Sequence, residues 1–240
     1  MDTLLCKIAD LLVEIPEDDG LGARLLDYRT NEIGEPDITL DASRYRPETW
    51  PTLSQEDVAY MESGFQFYYR LLRFGGMMLH ASAVELDGRA YLFSGPCGVG
   101  KSTHTSLWRD VFGEDVVVFN DDKPALRRID GRWYAYGTPW CGKDGINVNM
   151  KVPLAGICFL KQSDHNEIRR LEGKQALSKV ISQTTYRLRD ADKMMKMMKN
   201  VDQLIAEIPI YELFNRPERA AAELSYQVMS GNSPEVSYED

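Results

Sequence analysis

The sequence has few cysteines, less positive than negative charge, and no long apolar run. Its four cysteines, at positions 6, 97, 141 and 158, do not show the paired spacing of a zinc site. Its 28 basic residues are outnumbered by 37 acidic ones, which gives a net charge of −9. An excess of acidic charge argues against a general nucleic-acid binder and against adhesion to an anionic membrane.

The sequence also contains nothing that indicates export or insertion into a membrane. No apolar run approaches the length of a spanning helix, and the first residues, MDTLLCKIADLL, lack a basic region and a cleavage site. We therefore expect a cytoplasmic protein with reduced cysteines. The composition, 43% hydrophobic and 27% charged, is that of a globular protein. The length of 240 residues allows one α/β domain with a small appendage.

One motif predicts a phosphate site. The stretch YLFSGPCGVGKSTHTSLW, residues 91–108, matches the pattern G-x-x-x-x-G-K-[ST] and lies between an apolar run of strand length and a helical pattern. Glycine allows a tight backbone nest of N–H groups, and the following helix adds its positive end. The lysine of the pattern reaches the outer phosphates, and the serine hydroxyl joins the shell of Mg²⁺. The predicted nucleotide-binding residues are Gly95, Cys97, Gly98, Val99, Gly100, Lys101, Ser102 and Thr103; the cysteine is regarded as incidental.

The chain is predicted to have three parts. Residues 1–74 are rich in turn formers and form a small N-terminal lobe or cap, which ends in a helix capped by Thr52 or Ser54. Residues 75–229 form the catalytic domain, and residues 230–240 a flexible tail. In the lobe's helix, the aromatic stretch FQFYYRLLRF is better explained by core packing than by a stacking surface.

A tight turn fixes the position of one histidine. The Asp-Gly pairs at 87–88 and 130–131 are each typical of a two-residue hairpin, and the first of these hairpins pairs Leu86 with Arg89. Continuing this register places His80 opposite Gly95, beside the phosphate site. The alternative is a core histidine that is hydrogen-bonded to the backbone. An antiparallel hairpin that leads into the glycine motif also predicts a mixed or antiparallel sheet.

The next apolar strand, DVVVFNDD, ends in two adjacent carboxylates. Successive side chains in an extended chain point to opposite sides. The favoured interpretation is that Asp122, with Ser102, binds Mg²⁺, and that Asp121 accepts the proton of the attacking hydroxyl. The alternative is that one of the two caps a turn before Pro124.

These residues together resemble a known family. The stretches LHASAVELDGRAYLFSGPCGVGKST, VVVFNDDKPAL and GINVNMKVPLAGI are similar to the catalytic domain of HPr kinase/phosphorylase. They resemble, more distantly, the nucleotide core of phosphoenolpyruvate carboxykinase. The resemblance covers residues 75–165 well and the C-terminal helices loosely. It implies an α/β phosphate-loop kinase domain that uses ATP and Mg²⁺.

Carried onto this chain, the resemblance implies that His80, Lys101 and Asp121 are catalytic and that Asp122 lies on the metal side. Gly142, Lys143 and Asn147 would line the acceptor side. The chain departs from the family where TPWCGKDG replaces a Glu and an Arg, and its N-terminal segment is short. The acceptor is therefore not expected to be HPr.

The sequence thus predicts transfer of the γ-phosphoryl group of ATP to a serine of a protein or peptide. Two alternatives remain open. One is a kinase of a small hydroxylated metabolite such as free serine, and the other is an ATP-binding regulatory module without transfer. The expected partner is the protein or peptide acceptor, with neither nucleic acid nor membrane, and relatives of this kind are often homo-oligomers.

Overall fold

A computed structural model describes residues 3–17, 20–184 and 190–231. The predicted tail from residue 232 onwards lies outside this part of the chain. Within it, the strands in chain order are β1 (Thr3–Ile8), β2 (Leu11–Pro16), β3 (Ile38–Thr39), β4 (Gly76–Met78), β5 (Ala81–Leu86), β6 (Arg89–Ser94), β7 (Val117–Asn120), β8 (Ala125–Ile129), β9 (Arg132–Tyr136), β10 (Lys151–Gln162), β11 (Glu167–Leu171) and β12 (Ile210–Asn215). The helices are α1 (Gln55–Leu71), α2 (Lys101–Phe112), α3 (Gly173–Gln183), α4 (Ala191–Glu207) and α5 (Arg219–Met229).

The large sheet is mixed, as the sequence predicts. The strands β5 and β6 form an antiparallel hairpin in which Leu86 pairs with Arg89 and Ala81 with Ser94, without a bulge. On its other side β6 pairs with β10 in parallel, and β10 also pairs with β12 in parallel and with β9 antiparallel. The long β10 therefore joins the hairpins β8–β9 and β5–β6 into one sheet, and the fold is mixed α/β.

The part of the large sheet around β6 is covered by helices on both faces. In β6, Leu92 belongs to the apolar cluster that contains Val180 of α3 and Val201 of α4. The next residue, Phe93, belongs to the cluster that contains Trp108 of α2 and residues of α5. This alternation follows the two-residue period of a strand, and it buries both faces.

The N-terminal segment builds a separate small sheet, β1–β2–β3, which packs on α1. Ser54 caps α1 by accepting a hydrogen bond from the backbone N–H of Asp57, as predicted. On α1, Phe67 is fully buried and stacks on Trp140 with 4.7 Å between ring centroids. Core packing is thus confirmed for most of the aromatic stretch, although Phe65 is 41% exposed.

Three details of the predicted strands are wrong. The stretch MMLHASAVEL, residues 77–86, is expected to form one strand, but it is broken at residues 79–80, because β4 pairs with β8 whereas β5 pairs with β6 and β7. The strand β7 ends at Asn120, so both carboxylates lie in the bend that follows. The strand β11 was not predicted, because Ile168 and Leu171 are its only apolar residues.

Gly137 generates a stability prediction. A Cβ at this position would lie 1.8 Å from the carbonyl oxygen of Val148 and 2.8 Å from that of Phe119, both of them backbone atoms. Gly137→Ala should therefore lower the free energy of unfolding by about 3 kcal/mol or more, as overpacking does. The matched control is Gly34→Ala, whose Cβ would make an ordinary 3.5 Å contact with Leu12. Denaturant titration measures both, and equal stability of the two variants would contradict this packing.

Candidate active site

The glycine loop, residues 95–102, turns the chain from the end of β6 into α2. Gly98 and Gly100 have φ values of 79° and 104°, which side chains disfavour, and Gly100 is the N-cap of α2. The backbone N–H of Val99 donates to the carbonyl oxygen of Pro96 over 3.2 Å, which closes the turn. A glycine turn that ends on a helix N-terminus provides the kind of N–H groups that bind phosphate.

Lys101, the first residue of α2, is only 9% exposed. Its ammonium donates to the carbonyl oxygens of Gly95 at 3.3 Å and Pro96 at 3.5 Å, both in the loop itself. Burial lowers the pKa of this lysine, and Asp122 and Asp121 only partly offset that effect. The ammonium is thus incompletely neutralised, which suits it to bind an anion.

Asp121 is held by the neighbouring strand β5. The hydroxyl of Ser82 donates to its Oδ1 over 2.5 Å, and the hydroxyl of Thr105 on α2 lies 3.0 Å from that of Ser82. Both hydroxyl-bearing residues are buried. This chain of hydroxyl groups fixes the carboxylate relative to α2.

Asp122 has a different set of partners. His80 Nε2 lies 3.3 Å from its Oδ1, and the ammonium of Lys123 pairs with its Oδ2. Burial raises the pKa of Asp122, but the hydrogen bonds and charges of His80 and Lys123 together lower it below its ordinary value. The other ring nitrogen of His80, Nδ1, lies 3.1 Å from Gln183 Oε1 at the end of α3.

The bend that presents the two carboxylates depends on Asn120. Its Oδ1 accepts hydrogen bonds from the backbone N–H groups of Asp122 at 3.1 Å and Lys123 at 2.7 Å. The turn before Pro124 is thus capped by the asparagine, and both carboxylates remain available to the site. Sequence reasoning missed this role, although Asn followed by a turn is a known signal.

One cavity of about 460 Å³ collects most of the predicted site residues. It is lined by His80, Cys97, Gly98, Gly100, Lys101, Ser102, Thr103, Asp121, Asp122, Cys141, Gly142, Lys143 and Asp144. Val99 lines a second cavity of about 500 Å³ on the other side of the loop, together with Gly98, Thr103 and Leu107. The two cavities share the glycine loop.

The predicted acceptor-side residues are only partly brought together. Gly142 and Lys143 line the first cavity, but Asn147 does not. The Asn147 amide donates instead to the carbonyl oxygen of Arg24 over 3.1 Å and to Tyr28 over 3.4 Å. Its side chain therefore ties the loop to the N-terminal lobe, whereas its backbone forms a β-bridge with Asn120 beside the carboxylate bend.

Two N-terminal residues that sequence reasoning missed also position this loop. The Arg24 guanidinium donates to the carbonyl oxygen of Gly142 over 3.0 Å, and Tyr60 Oη accepts from the backbone N–H of Gly142 over 2.9 Å. A Cβ at position 142 would lie 3.0 Å from the Cβ of Asp122, so this loop packs directly on the carboxylate bend.

The donor set of the cavity fits a magnesium–nucleotide complex. Mg²⁺ prefers oxygen ligands and is often bound by one or two carboxylates plus substrate phosphates. The cavity offers the Ser102 hydroxyl and the Asp122 carboxylate beside the glycine loop. Among the described residues, no group of three or more His, Cys, Asp and Glu side chains is arranged as a metal cage. The phosphates themselves would have to complete the shell.

The fold and the cavity define a mixed α/β protein with a glycine loop beside paired carboxylates. The family model described as SynChlorMet cassette protein ScmC matches residues 48–216. Because this match spans well over half of the 240 residues, the chain belongs to that family. A comparison with curated proteins gives no match.

Among solved structures, the HPr(Ser) kinase/phosphatase from Coxiella burnetii is similar over 65% of this chain and 90% of that chain. The sequence identity is 12% and the TM-score 0.38. This likeness is too distant to say anything about activity.

In the described part of the chain, no helix combines the length and apolar character needed to cross a bilayer.

The buried ammonium of Lys101 generates a prediction. Since its pKa is lowered from 10.5, folding disfavours the charged form, and this cost is fully present at pH values well below the lowered pKa. Lys101→Met should therefore make the ligand-free protein more stable than the wild type. The gain should shrink as the pH rises through the lowered pKa towards 10.5.

Thermal unfolding across this pH range measures the effect, with and without ATP. The control is Lys199→Met, which removes an exposed lysine of α4 and should not change stability at any pH. The Lys101 variant should also lose the stabilisation that ATP gives the wild type. A Lys101 variant that is less stable than the wild type without ATP would contradict the conclusion that the buried ammonium destabilises the ligand-free protein.

Proposed function

We propose that this protein is an ATP- and Mg²⁺-dependent kinase that transfers the γ-phosphoryl group to a serine hydroxyl of a protein or peptide. The observation that carries the proposal is the first cavity, where the glycine loop, the buried Lys101 and two differently held carboxylates line one space. An arrangement that served only to bind ATP would not need a second carboxylate with its own positioning hydroxyl.

In this proposal the glycine loop and Lys101 bind the phosphates. Ser102 and Asp122 would hold Mg²⁺, which when bound neutralises charge on the phosphate oxygens. The lowered pKa of Asp122 keeps its carboxylate ionised, as a metal ligand must be. His80, the residue before β5, holds that carboxylate through its Nε2 atom. In this proposal its side chain lies at the reaction centre.

The acceptor hydroxyl is proposed to enter beside Asp121. Its oxygen forms a bond to the γ-phosphorus while the bond from that phosphorus to the β–γ bridging oxygen breaks, and ADP leaves. The proton of the hydroxyl passes to Asp121, whose orientation is set by the 2.5 Å hydrogen bond from Ser82. Lys101 stabilises the charge that develops on the transferred group.

The second cavity supports the choice of a nucleotide as the donor. It adjoins the loop, and it is lined by Val99, Leu107 and Pro217 with the polar groups of Gln162 and Asn215. A mixture of apolar surface and a few polar groups is typical of a site for a base and sugar. We propose that the nucleoside half of ATP lies there.

Asp121→Asn is the direct test of the proton acceptor. The variant should bind ATP as the wild type does, because the amide keeps the shape of the carboxylate. Its rate of phosphoryl transfer should fall by about 100-fold or more, which is the usual contribution of a general base. Nucleotide titration and transfer kinetics measure the two quantities. Full transfer activity in this variant would remove Asp121 from the mechanism.

The acceptor itself is found by labelling. Purified protein, γ-labelled ATP and Mg²⁺ are incubated with an extract of the host, beside a Lys101→Ala control that should be inactive. Label in a protein or peptide band that the control lacks supports the proposal. Label only in small molecules would favour a metabolite kinase, and ATP binding without any transfer would favour a regulatory module.

A further inference from the structure

A third pocket, chemically different from the two cavities described above, adjoins the proposed catalytic cavity. It has a volume of about 230 Å³ and lies between α1 and the segment that follows β9. Its lining is dominated by four aromatic rings and two methionines: Tyr60, Met61, Phe65, Tyr68, Met78 and Trp140. The function proposed above makes no use of this pocket.

The polar atoms of its aromatic walls already have partners inside the protein. Trp140 Nε1 donates to Ser63 Oγ over 3.2 Å, and Tyr68 Oη lies 3.0 Å from Thr138 Oγ1. Tyr60 Oη accepts from the backbone of Gly142. These rings therefore offer an incoming ligand apolar surface, with few hydrogen bonds to satisfy.

The walls are also fixed in place, whereas the rim is open. Trp140 is completely buried and stacked on Phe67, and Gly64 lets α1 approach so closely that an added Cβ would lie 2.9 Å from the indole ring. At the rim, Phe65 is a 41% exposed aromatic side chain on a helix whose neighbouring Phe67 is fully buried. A preformed apolar pocket with an exposed aromatic rim is typical of a binding site.

The pocket and the catalytic cavity share a wall. Lys123 lines the pocket, and its ammonium pairs with Asp122, which lines the cavity. Tyr60 lines the pocket and is hydrogen-bonded to Gly142, which lines the cavity. A ligand in the pocket is thus one residue layer from the site of phosphoryl transfer.

We infer that this pocket binds an apolar side chain of the phospho-acceptor, close in sequence to the hydroxyl that is phosphorylated. The inference rests on the proposed kinase function and narrows its acceptor. Phosphates cannot use an apolar pocket, and free serine has no group to place in it. A peptide or protein segment that carries a leucine, phenylalanine or similar residue near its serine has both groups. Binding energy gained away from the reacting centre can then serve transfer.

Two variants and one control test the inference. Met61→Trp fills the pocket, and Phe65→Ala removes its rim. The control, Met195→Ala, alters a 65% exposed methionine of α4 that does not line the pocket. Circular dichroism checks that each protein is folded. The first assay is saturation-transfer NMR of N-acetyl-phenylalanine amide, which tests the pocket without any catalysis.

The second assay measures transfer from γ-labelled ATP to synthetic peptides with one central serine, in which leucine, phenylalanine, alanine or aspartate is placed at each other position in turn. The wild type and the Met195 variant should bind the amide. They should also prefer an apolar residue at one fixed position by about tenfold or more in kcat/KM. The Met61 and Phe65 variants should lose both the binding and the preference.

Each other outcome overturns the inference in a distinguishable way. Absence of amide binding, or binding that neither variant weakens, rejects the pocket as an apolar subsite. Transfer to peptides without positional preference leaves the kinase proposal standing and rejects this subsite. Amide binding with no transfer to any serine peptide rejects the kinase function on peptides, and the acceptor role of the pocket with it.

Discussion

The arrangement of the site depends on the contacts of one carboxylate. Asp122 pairs with Lys123 and lies 3.3 Å from His80, and its backbone carbonyl accepts from Ala81 at the start of β5. Gly142 packs against its side chain from the opposite segment. Lys123 is the next residue in the chain, but His80, Ala81 and Gly142 come from distant parts of it, so these three contacts form only when the fold is complete. Its lowered pKa is the thermodynamic expression of this coupling.

The same region separates two kinds of chemistry. On one side, the glycine loop and Lys101 form a polar cavity suited to phosphates, with cationic and anionic side chains close together. On the other side, the rings of α1 and Trp140 form an apolar pocket. The N-terminal lobe contributes to both spaces, because Tyr60 lines the apolar pocket and both Tyr60 and Arg24 are hydrogen-bonded to Gly142 of the polar cavity. The lobe is therefore part of the site's architecture.

The parts of the fold that the sequence predicts well are those with strong local signals. The turns at Asp87-Gly88 and Asp130-Gly131 have positive φ at both residues, as the hairpin signal requires, and the first of them places His80 at the glycine loop. The hairpin turn at Ala9-Asp10 also has positive φ but contains no glycine. It is stabilised from outside by Tyr136 and Lys151, each 2.7 Å from the Asp10 carboxylate, which no local pattern reveals.

In the candidate site, too, the residues with a strong local signal are predicted and those that depend on long-range contacts are not. The loop glycines, Lys101 and the two carboxylates are recognisable as a motif, and the structure brings them to one cavity. The residues that position them, such as Ser82, Asn120 and Gln183, are ordinary polar residues whose importance comes from long-range contacts. Asn147 shows the converse, since a motif suggested the acceptor side and its side-chain hydrogen bonds lie with the N-terminal lobe. The catalytic roles themselves stay predictions.

The proposed function requires this cavity to bind a magnesium–nucleotide complex through Asp122. The most direct measurement is calorimetric titration of ATP into the wild type and Asp122→Asn, with excess Mg²⁺ and with a chelator. Mg²⁺ should strengthen ATP binding to the wild type, and most of this gain in affinity should disappear in the variant. An absence of ATP binding, or the same gain from Mg²⁺ in both proteins, would contradict it.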